Sequence, residues 1–295
     1  MECLGHGSRS VVLIPVDPAT GAMQVDALEQ ALQRDVAAGC VPLAIVGTAG
    51  SVTVGAFDDF HALADLCARY DTWFHVDAAF GFWTRCAPAT RIRNLSRGAE
   101  RADSMALDAH KWPGVNYECG ALLVRDKQHL HQTLAMRAGY LQSAGAGLAG
   151  GDVWFTDYSL DLSRGFRALK LWTALTTAGP ATIGQVVADH CALAARMGEL
   201  VEQSNLLELA HNVISNICCF YINPSLVGDG PVPTAAEIAA TLQMQGQGVF
   251  STVTIHDKDC LRAAIVNHRT TPEDIEKSIV AVEEAVRDKL NFLRN

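Results

Sequence analysis

The chain has 295 residues, 49% of them hydrophobic and 19% charged, which is typical of a compact globular protein and argues against a fibrous or disordered one. Its formal net charge is −9 and no basic run offsets it, so we expect no nucleic-acid or anionic-membrane partner. These numbers favour one large domain, or a large and a small one, acting on a small molecule.

The N-terminal stretch predicts a cytosolic protein. MECLGHGSRS lacks the apolar centre of a signal peptide, and no run approaches the ~18 consecutive apolar residues that span a bilayer. The nine cysteines form no C-x-x-C pair and are odd in number. We therefore expect reduced, mostly buried thiols rather than disulfides or a zinc site.

Strands and helices alternate in the first part of the chain. The run VPLAIVGT is continuously apolar, which predicts a strand buried on both faces. The first helix carries Asp26 and Glu29 in capping-box spacing, with Gly39 beyond its end. This alternation favours an α/β layer with a mainly parallel sheet, whose ligands bind at the carboxyl ends of the strands. The predicted elements are strand 11–15, helix 26–39, strand 41–48, helix FHALADLCARY capped by Asp58 or Asp59, and strands within TWFHVDAAF, SMALDA and GALLVR.

After GALLVR the pattern changes. A helix is followed by the glycine-rich loop 138–152, AGYLQSAGAGLAGGD, and loops of this length inside compact domains are usually functional or disordered. The helix RGFRALKLWTALTTAG ends at Gly179, and the proline after it can start a new helix. Strands VISNICCFYI, VFSTVTI and LRAAIVN then lie between helices. We predict a large domain over 1–182 and a small α+β domain over 183–295.

Two charged residues follow buried strands of the large domain: Asp77 after WFHV, and Lys111 after SMALDAH. An aspartate at a strand end is often only an N-cap, and H-K-W is often a surface turn. Both strand ends would lie at one edge of a parallel sheet, so a carboxylate and an amine can meet there. Burial disfavours a lysine ammonium, whereas a lysine that forms an imine avoids that cost. Pyridoxal phosphate needs such a lysine, and an acid that keeps its pyridine nitrogen protonated.

Six motifs in order, spread over nearly the whole chain, carry a family resemblance. They are GTAGSVTVGAFDD, HVDAAFGFW, ADSMALDAHKW, YECGALLVRD, SRGFRALKLW and LRAAIVNHRTT. With them the chain resembles the group II pyridoxal-phosphate decarboxylases, related to aromatic amino acid and glutamate decarboxylases. The resemblance implies the α/β fold of pyridoxal-phosphate-dependent transferases, fold type I. It also implies the decarboxylation of an L-amino acid to its amine and CO2.

The resemblance further implies a set of site residues. Lys111 would form the Schiff base with pyridoxal 5'-phosphate, and Asp77 would pair with the pyridinium nitrogen. Thr48 would lie beside the ring or beside Asp77. Ala79 would pack near the ring, and His110 would lie near the phosphate.

Three further positions are less direct. Tyr140 matches a mobile-loop tyrosine that in such decarboxylases protonates the substrate carbon, although a plain exposed loop tyrosine is the alternative. Asp108 stands where relatives often have a neutral polar residue in phosphate contact, and an ionised carboxylate would repel a phosphate, so it is not among the predicted site residues. Arg262 is a candidate clamp for a substrate carboxylate, or equally an exposed arginine at a strand end.

Members of the family are usually longer, and the resemblance implies that the part before Met1 is missing here. That part normally brings a dimerisation segment, a phosphate-binding loop and a histidine that stacks on the pyridine ring. His6 follows that histidine's expected motif rather than forming it. We expect a homodimer with a shared active site and an amino acid, a small molecule, as substrate.

Other interpretations stay open at this point. The chain could be another fold-type I lyase or an aminotransferase, or a catalytically inactive scaffold kept by its dimer surface. Phe80, Phe82 and Trp83 hint at an apolar or aromatic substrate. His129 and His131 have strand-like spacing on a predicted helix, so we expect no metal there.

Overall fold

The computed structural model describes residues 4–135, 147, 154–226 and 232–294. It contains two four-stranded sheets, one from the first part of the chain and one from the last. Tyr140, most of the glycine-rich loop and Cys3 lie outside the described residues. The helices and strands are α1 Val25–Ala37, β1 Ala44–Thr48, α2 Phe60–Tyr70, β2 Trp73–Asp77, α3 Thr90–Asn94, β3 Ser104–Asp108, β4 Gly120–Val124, α4 Lys127–Leu134, α5 Arg167–Gln203, β5 Leu207–Leu209, β6 Ile217–Ile222, α6 Ala235–Met244, β7 Ser251–Ile255, β8 Lys258–Ala264 and α7 Pro272–Arg294.

The first sheet has the strand order β1-β2-β3-β4. Strands β1, β2 and β3 are parallel, and β4 is antiparallel to β3. The register places Thr48 opposite Asp77, and Asp77 opposite Ala106. The predicted mainly parallel sheet is therefore confirmed, and its carboxyl ends gather at one edge.

Helices α1 and α2 cover one face of this sheet. Leu63 of α2 and Phe74 of β2 are at most 1% exposed and pack in one apolar cluster. The helix α2 begins at Asp59, whose carboxylate accepts hydrogen bonds at 3.1 Å from the backbone N–H groups of His61 and Ala62. Apolar spacing and this cap together explain why the segment is helical.

Three predictions about this part of the chain are wrong. The helix α1 begins after Gln24 without a side-chain cap, and Glu29 forms an ion pair with Arg69 instead of a capping box. Residues 11–15 form no strand, because no described strand lies beside them to complete a ladder. The strand β1 is not buried on both faces: Val46 is 50% exposed, since α1 and α2 pack on the opposite face only.

The second sheet is antiparallel, with the order β5-β6-β8-β7. One face packs against α5, α6 and α7, where Phe220, Leu261 and Val282 are at most 1% exposed. A capping box of Thr234 and Glu237 starts α6. The predicted succession of helices and strands is confirmed here, and β5 is an added strand too short for its pattern to be recognised.

The long helix α5 is broken at Gly179, whose φ of 78° and ψ of 153° are not helical, immediately before Pro180. This is where the sequence predicts one helix to end and another to start. Beyond the break, Val187 packs with Trp112 of the first part of the chain, and Leu193 packs against the second sheet. The helix thus contacts both sheets, and the domain boundary after residue 182 stays a prediction.

Eight cysteines lie within the described residues; all are free and six of them are buried. Burial raises the pKa of Cys67 to about 12 and that of Cys191 to about 12, which disfavours the reactive thiolate. The prediction that most of the thiols are core residues is confirmed. None of the described helices combines the length and the hydropathy needed to span a bilayer.

Candidate functional site

The carboxyl ends of β2 and β3 hold the two candidate turns side by side. The N–H of Ala78, which follows Asp77, donates to the carbonyl of Ala106 at 2.9 Å. Further towards the carboxyl ends of the two strands, the N–H of Asp108 donates to the carbonyl of Ala79 at 3.2 Å. The turn after β2 and the turn that bears the candidate lysine are therefore fixed relative to each other by backbone hydrogen bonds.

Lys111 lies in the turn after β3, and its side chain is 39% exposed. The expectation that this lysine is buried is wrong; the neighbouring Trp112 is the buried side chain, at 1% exposure. The Nζ atom of Lys111 lies 2.8 Å from Oδ2 of Asp108. Because it is exposed, the ammonium keeps most of its hydration, and a ligand from solvent can reach it by displacing Asp108.

Asp108, which is not among the predicted site residues, is the partner of the candidate lysine. Its Oδ2 also lies 3.7 Å from Nε2 of His110, so the same carboxylate oxygen is close to both Lys111 and His110. The sequence did contain the signal, because Asp108 and Lys111 are three residues apart across one turn. Asp108 therefore belongs to the site.

The ring of His110 is fixed from two directions. Its Nδ1 accepts a hydrogen bond from the N–H of Cys119 at 3.1 Å, and its centroid lies 4.3 Å from that of Tyr117. Since Nδ1 is an acceptor, a neutral imidazole carries its proton on Nε2. That N–H is available to an anion in place of Asp108.

Asp77 ends β2 with an exposed carboxylate whose Oδ1 accepts a hydrogen bond at 3.1 Å from the N–H of Ala79. Two residues earlier on the same face, Nδ1 of His75 lies 2.7 Å from Oγ of Ser104, which also accepts from Nε1 of Trp73 at 2.8 Å. Burial lowers the pKa of His75, and the negative charge of Asp77 opposes this effect. His75 is thus a polar neighbour of Asp77 that sequence reasoning missed, although its i−2 position places it on that face.

Thr48 ends β1 opposite Asp77 and is held by a third aspartate, Asp58. The carboxylate of Asp58 accepts a hydrogen bond from the N–H of Thr48 at 2.7 Å and another from the N–H of Met23 at 2.6 Å. Burial raises the pKa of Asp58, and these two hydrogen bonds oppose the rise. Of the two predicted helix caps, Asp58 and Asp59, the cap of α2 is Asp59.

We expect Asp58→Ala to lower the free energy of unfolding by about 3 kcal/mol, because two backbone N–H groups lose a charged acceptor. Asp59→Ala is the matched control, since it removes only an exposed helix cap worth about 1 kcal/mol. Urea unfolding of both variants followed by circular dichroism measures the difference. Equal losses in the two variants would contradict the positioning role of Asp58.

The aromatic residues of the site region are packing residues. Trp83 is 3% exposed and donates from Nε1 to the carbonyl of Asp108 at 2.9 Å. Phe80 stacks on Trp112, with ring centroids 5.2 Å apart, and Phe82 meets Trp83 edge to face. They support the turn after β3, and the hint that they favour an apolar or aromatic substrate stays a prediction.

Arg262 lies within β8, opposite Cys219, and not at a strand end. Its Nε donates to the carbonyl of Val52 at 2.7 Å, and its Nη1 donates to Oγ of Ser251 at 3.2 Å. The alternative of an exposed arginine at a strand end is therefore wrong. Arg262 instead connects the second sheet to the glycine-rich turn that follows Thr48.

His129 and His131 do not share a ligand. The ring of His129 meets that of Trp73 with centroids 5.4 Å apart, whereas Nε2 of His131 lies 3.6 Å from Oδ2 of the buried Asp157. Within the described ranges, no three His, Cys, Asp or Glu side chains are grouped as metal ligands.

The arrangement offers one exposed amine, one exposed carboxylate and one imidazole N–H around two adjoining strand ends. An amine of this kind can add to an aldehyde, and a carboxylate can hold a protonated ring nitrogen. An imidazole N–H can donate to a phosphate oxygen. These residues therefore fit pyridoxal phosphate, and the fit rests on Lys111, Asp77 and His110.

Comparisons with known proteins agree with this chemistry. Residues 7–223 match the family model described as the pyridoxal-dependent decarboxylase conserved domain. The chain is 30% identical over 290 residues to the aromatic-L-amino-acid decarboxylase of Bacillus atrophaeus, an alignment that covers 96% of this chain and 58% of that protein. It is 29% identical over 275 residues to the histidine decarboxylase of Rattus norvegicus, covering 93% of this chain and 40% of that one.

A solved structure gives the same result for the fold. The crystal structure of mouse CSAD superimposes with a TM-score of 0.87 at 26% identity, covering 97% of this chain and 61% of that chain. This confirms the predicted α/β fold of type I. The chain spans only part of the length of each of these proteins, between 40% and 61%.

Proposed function

Because the chain belongs to the pyridoxal-dependent decarboxylase family, we propose that it acts in the pyridoxal-phosphate-dependent decarboxylation of an L-amino acid to an amine and CO2. The observation that carries the proposal is the meeting of the Asp77 and Lys111 turns at one edge of a parallel sheet. Family membership favours this reaction over the aminotransferase, the other lyases and the inactive scaffold.

The proposed cofactor contacts follow from the placement of each residue. Lys111 would be the point of covalent attachment, Asp77 would pair with the pyridine nitrogen, and His110 would donate from Nε2 to the phosphate. Ala79, with its small half-buried side chain, leaves room for the ring, and Thr48 lies beside Asp77. When bound, the protonated pyridine ring supplies a sink for the electrons left behind as CO2 departs.

The chain's own groups prepare the site for this chemistry. Asp77 is held by the N–H of Ala79, so its carboxylate is oriented before any ligand arrives. Asp108 holds the Lys111 ammonium at 2.8 Å and must release it when that nitrogen forms a covalent bond. Cys119 donates to Nδ1 of His110, so a neutral ring carries its proton on Nε2, on the side of Asp108.

The screen that tests this function measures CO2 and amine release from each of the common L-amino acids, with pyridoxal phosphate in excess. Aromatic amino acids and histidine are the first substrates to include, because the related decarboxylases are named for them. The proposal predicts an amine product from at least one amino acid. Keto acid without CO2 would indicate transamination and contradict the proposal.

Tyr140, outside the described residues, is proposed to return the proton to the substrate carbon after CO2 leaves. We expect Tyr140→Phe to lower kcat by about 10²-fold while binding of pyridoxal phosphate is unchanged, because only a proton donor is removed. Tyr158→Phe, which changes a described tyrosine packed near His131, is the control and keeps full activity. An unchanged kcat in Tyr140→Phe would exclude this role.

The proposal also includes a homodimer, with a second copy of the chain covering an apolar surface at the start of α5. Phe166, Leu169 and Trp172 follow one another at intervals of three residues and are 75%, 49% and 63% exposed. Helical spacing places Leu169 and Trp172 on one side of the helix, and such a surface is costly to leave in water.

We expect Trp172→Glu to weaken self-association by about tenfold or more, because a charge would be buried at the contact. Val249→Glu, at an 85% exposed apolar residue of the second part, is the control. Sedimentation equilibrium of both variants and the unmodified chain provides the measurement. A chain that is monomeric throughout, or a dimer that Trp172→Glu leaves intact, would rule out this interface.

A further inference from the structure

A buried hydrogen bond joins Trp112, the neighbour of the candidate lysine, to His190 of α5. Nε1 of Trp112 donates to Nδ1 of His190 at 3.0 Å, and the two residues are 1% and 2% exposed. The side chains around Trp112 are apolar and include Leu107, Ile183 and Val187. In such surroundings a polar pair is stabilising only while its hydrogen bond is made, since either partner alone would be buried unpaired.

The second ring nitrogen of His190 shows that apolar packing alone does not explain this residue. Its Nε2 is buried too. Burial lowers the pKa of His190; a hydrogen bond with the backbone of Asn267 and the charge of Asp189 oppose this, and His268 adds to it. A buried imidazole is less favourable here than a leucine of similar size unless its hydrogen bonds are made.

Trp112 contacts both turns of the site. It follows Lys111 directly in the chain, so the orientation of the indole determines the backbone from which Lys111 projects. Its ring stacks on Phe80, with centroids 5.2 Å apart and an interplanar angle of 23°. Phe80 follows Asp77 and Ala79 in the other turn, so a tilt of the indole would move the amine and the carboxylate relative to each other.

We infer that His190 is a positioning residue of the cofactor site, which fixes the Lys111 turn against the Asp77 turn through its hydrogen bond to Trp112. The inference rests on the proposed function, because it takes the roles of Lys111 and Asp77 from there. His190 touches neither residue in this arrangement; it acts on them through the indole. The contact also links the site to the segment after β8, where Asn267 lies beside the imidazole.

Four variants separate positioning from packing. His190→Leu removes the acceptor and keeps an apolar side chain, and His190→Asn restores an amide oxygen near the position of Nδ1. Trp112→Phe removes the donor from the other side and keeps the stack on Phe80. The matched control is His211→Leu, because His211 is also a buried histidine, at 8% exposure, with a buried Nε2.

The first measurement needs no cofactor. Reductive methylation of lysines with formaldehyde and cyanoborohydride, followed by peptide mass spectrometry, gives the labelling rate of Lys111 relative to that of the exposed Lys277. We expect His190→Leu and Trp112→Phe to raise this ratio about threefold, because a loosened turn weakens the protecting contact with Asp108. His190→Asn and His211→Leu should stay within twofold of the unmodified chain.

The second measurement follows the rate at which saturating pyridoxal phosphate forms a borohydride-reducible adduct on Lys111. We expect this rate to fall about tenfold in His190→Leu and to recover in His190→Asn, with His211→Leu unchanged. The Tm of each variant is measured as well. If His190 had only a structural role, His190→Leu and His211→Leu would both lower the Tm, and the two variants would not differ in the reactivity of Lys111.

The two measurements distinguish failure of the inference from failure of the function. If the unmodified chain forms no adduct, the proposed function fails, and the methylation ratio alone decides the role of His190. If it forms the adduct and His190→Leu does so equally fast, the inference is overturned while the function stands. If His190→Leu does not fold, an unchanged methylation ratio in Trp112→Phe overturns it.

Discussion

Replacing Lys111 with alanine is expected to remove the reducible adduct with pyridoxal phosphate and to lower kcat by about 10⁴-fold or more, as removal of a covalent nucleophile does. Lys111 is the residue placed for attachment, because its side chain is 39% exposed and its turn lies beside the Asp77 turn. The fold should survive, since truncating a part-exposed side chain usually changes stability by about 0.5 kcal/mol or less. Visible absorbance with added cofactor, and CO2 release, measure the two losses.

Lys277→Ala is the matched control for this result. Lys277 is 71% exposed on α7 and pairs with Glu273 at 2.7 Å, remote in sequence from the site turns. It should keep both the adduct and the activity. A reducible absorbance band that persists in Lys111→Ala would contradict the assignment of Lys111.

Asp77→Asn is expected to lower kcat by about 10²- to 10³-fold while leaving attachment at Lys111 in place, because it removes a preorganised charge and not the amine. The asparagine oxygen can still accept the N–H of Ala79, now at 3.1 Å from Oδ1, so the turn should keep its shape. Measured kcat together with the yield of the reducible adduct separates the two effects.

Asp35→Asn is the control for the second variant, since Asp35 pairs with Arg34 at 3.2 Å on α1 and has no place in the site. It should have unmodified kinetics. If Asp77→Asn retains full kcat, the carboxylate does not act on the ring nitrogen and the proposed geometry of binding is wrong.

The architecture of the site could be predicted because it depends on local pattern. Alternating strands and helices define a parallel sheet, and the carboxyl ends of adjacent parallel strands must meet at one edge. The turns that follow β2 and β3 therefore lie side by side, as the sequence indicated. The sequence could not show that Lys111 stays exposed, because the exposure depends on which residue of the turn, Lys111 or Trp112, points inward.

The features that sequence reasoning missed depend on contacts between distant residues or on coverage by other elements. His190 and Trp112 are 78 residues apart, and nothing local to either one indicates the other. The exposure of Val46 follows from the absence of a described helix on that face of β1, which an apolar run cannot reveal. Asp108 is different, because its spacing of three residues from Lys111 can be read from the sequence. The expected repulsion between its carboxylate and a phosphate nevertheless argued against a place in the site.

Asp108 is the acidic partner of the candidate lysine. The carboxylate stabilises the ammonium at 2.8 Å and lies 3.7 Å from His110, so it compensates two basic groups at the sheet edge. A phosphate that binds here would replace Asp108 as the partner of His110, and an aldehyde would replace Asp108 as the partner of Lys111. Asp108 is therefore the group whose contacts change most when the site is filled.

The role of Lys111 is tested most directly by borohydride reduction of the unmodified chain with pyridoxal phosphate, followed by peptide mapping of the modified lysine. We expect one stoichiometric adduct, on the peptide that contains Lys111. An adduct on another lysine, or no adduct at saturating cofactor, would contradict it.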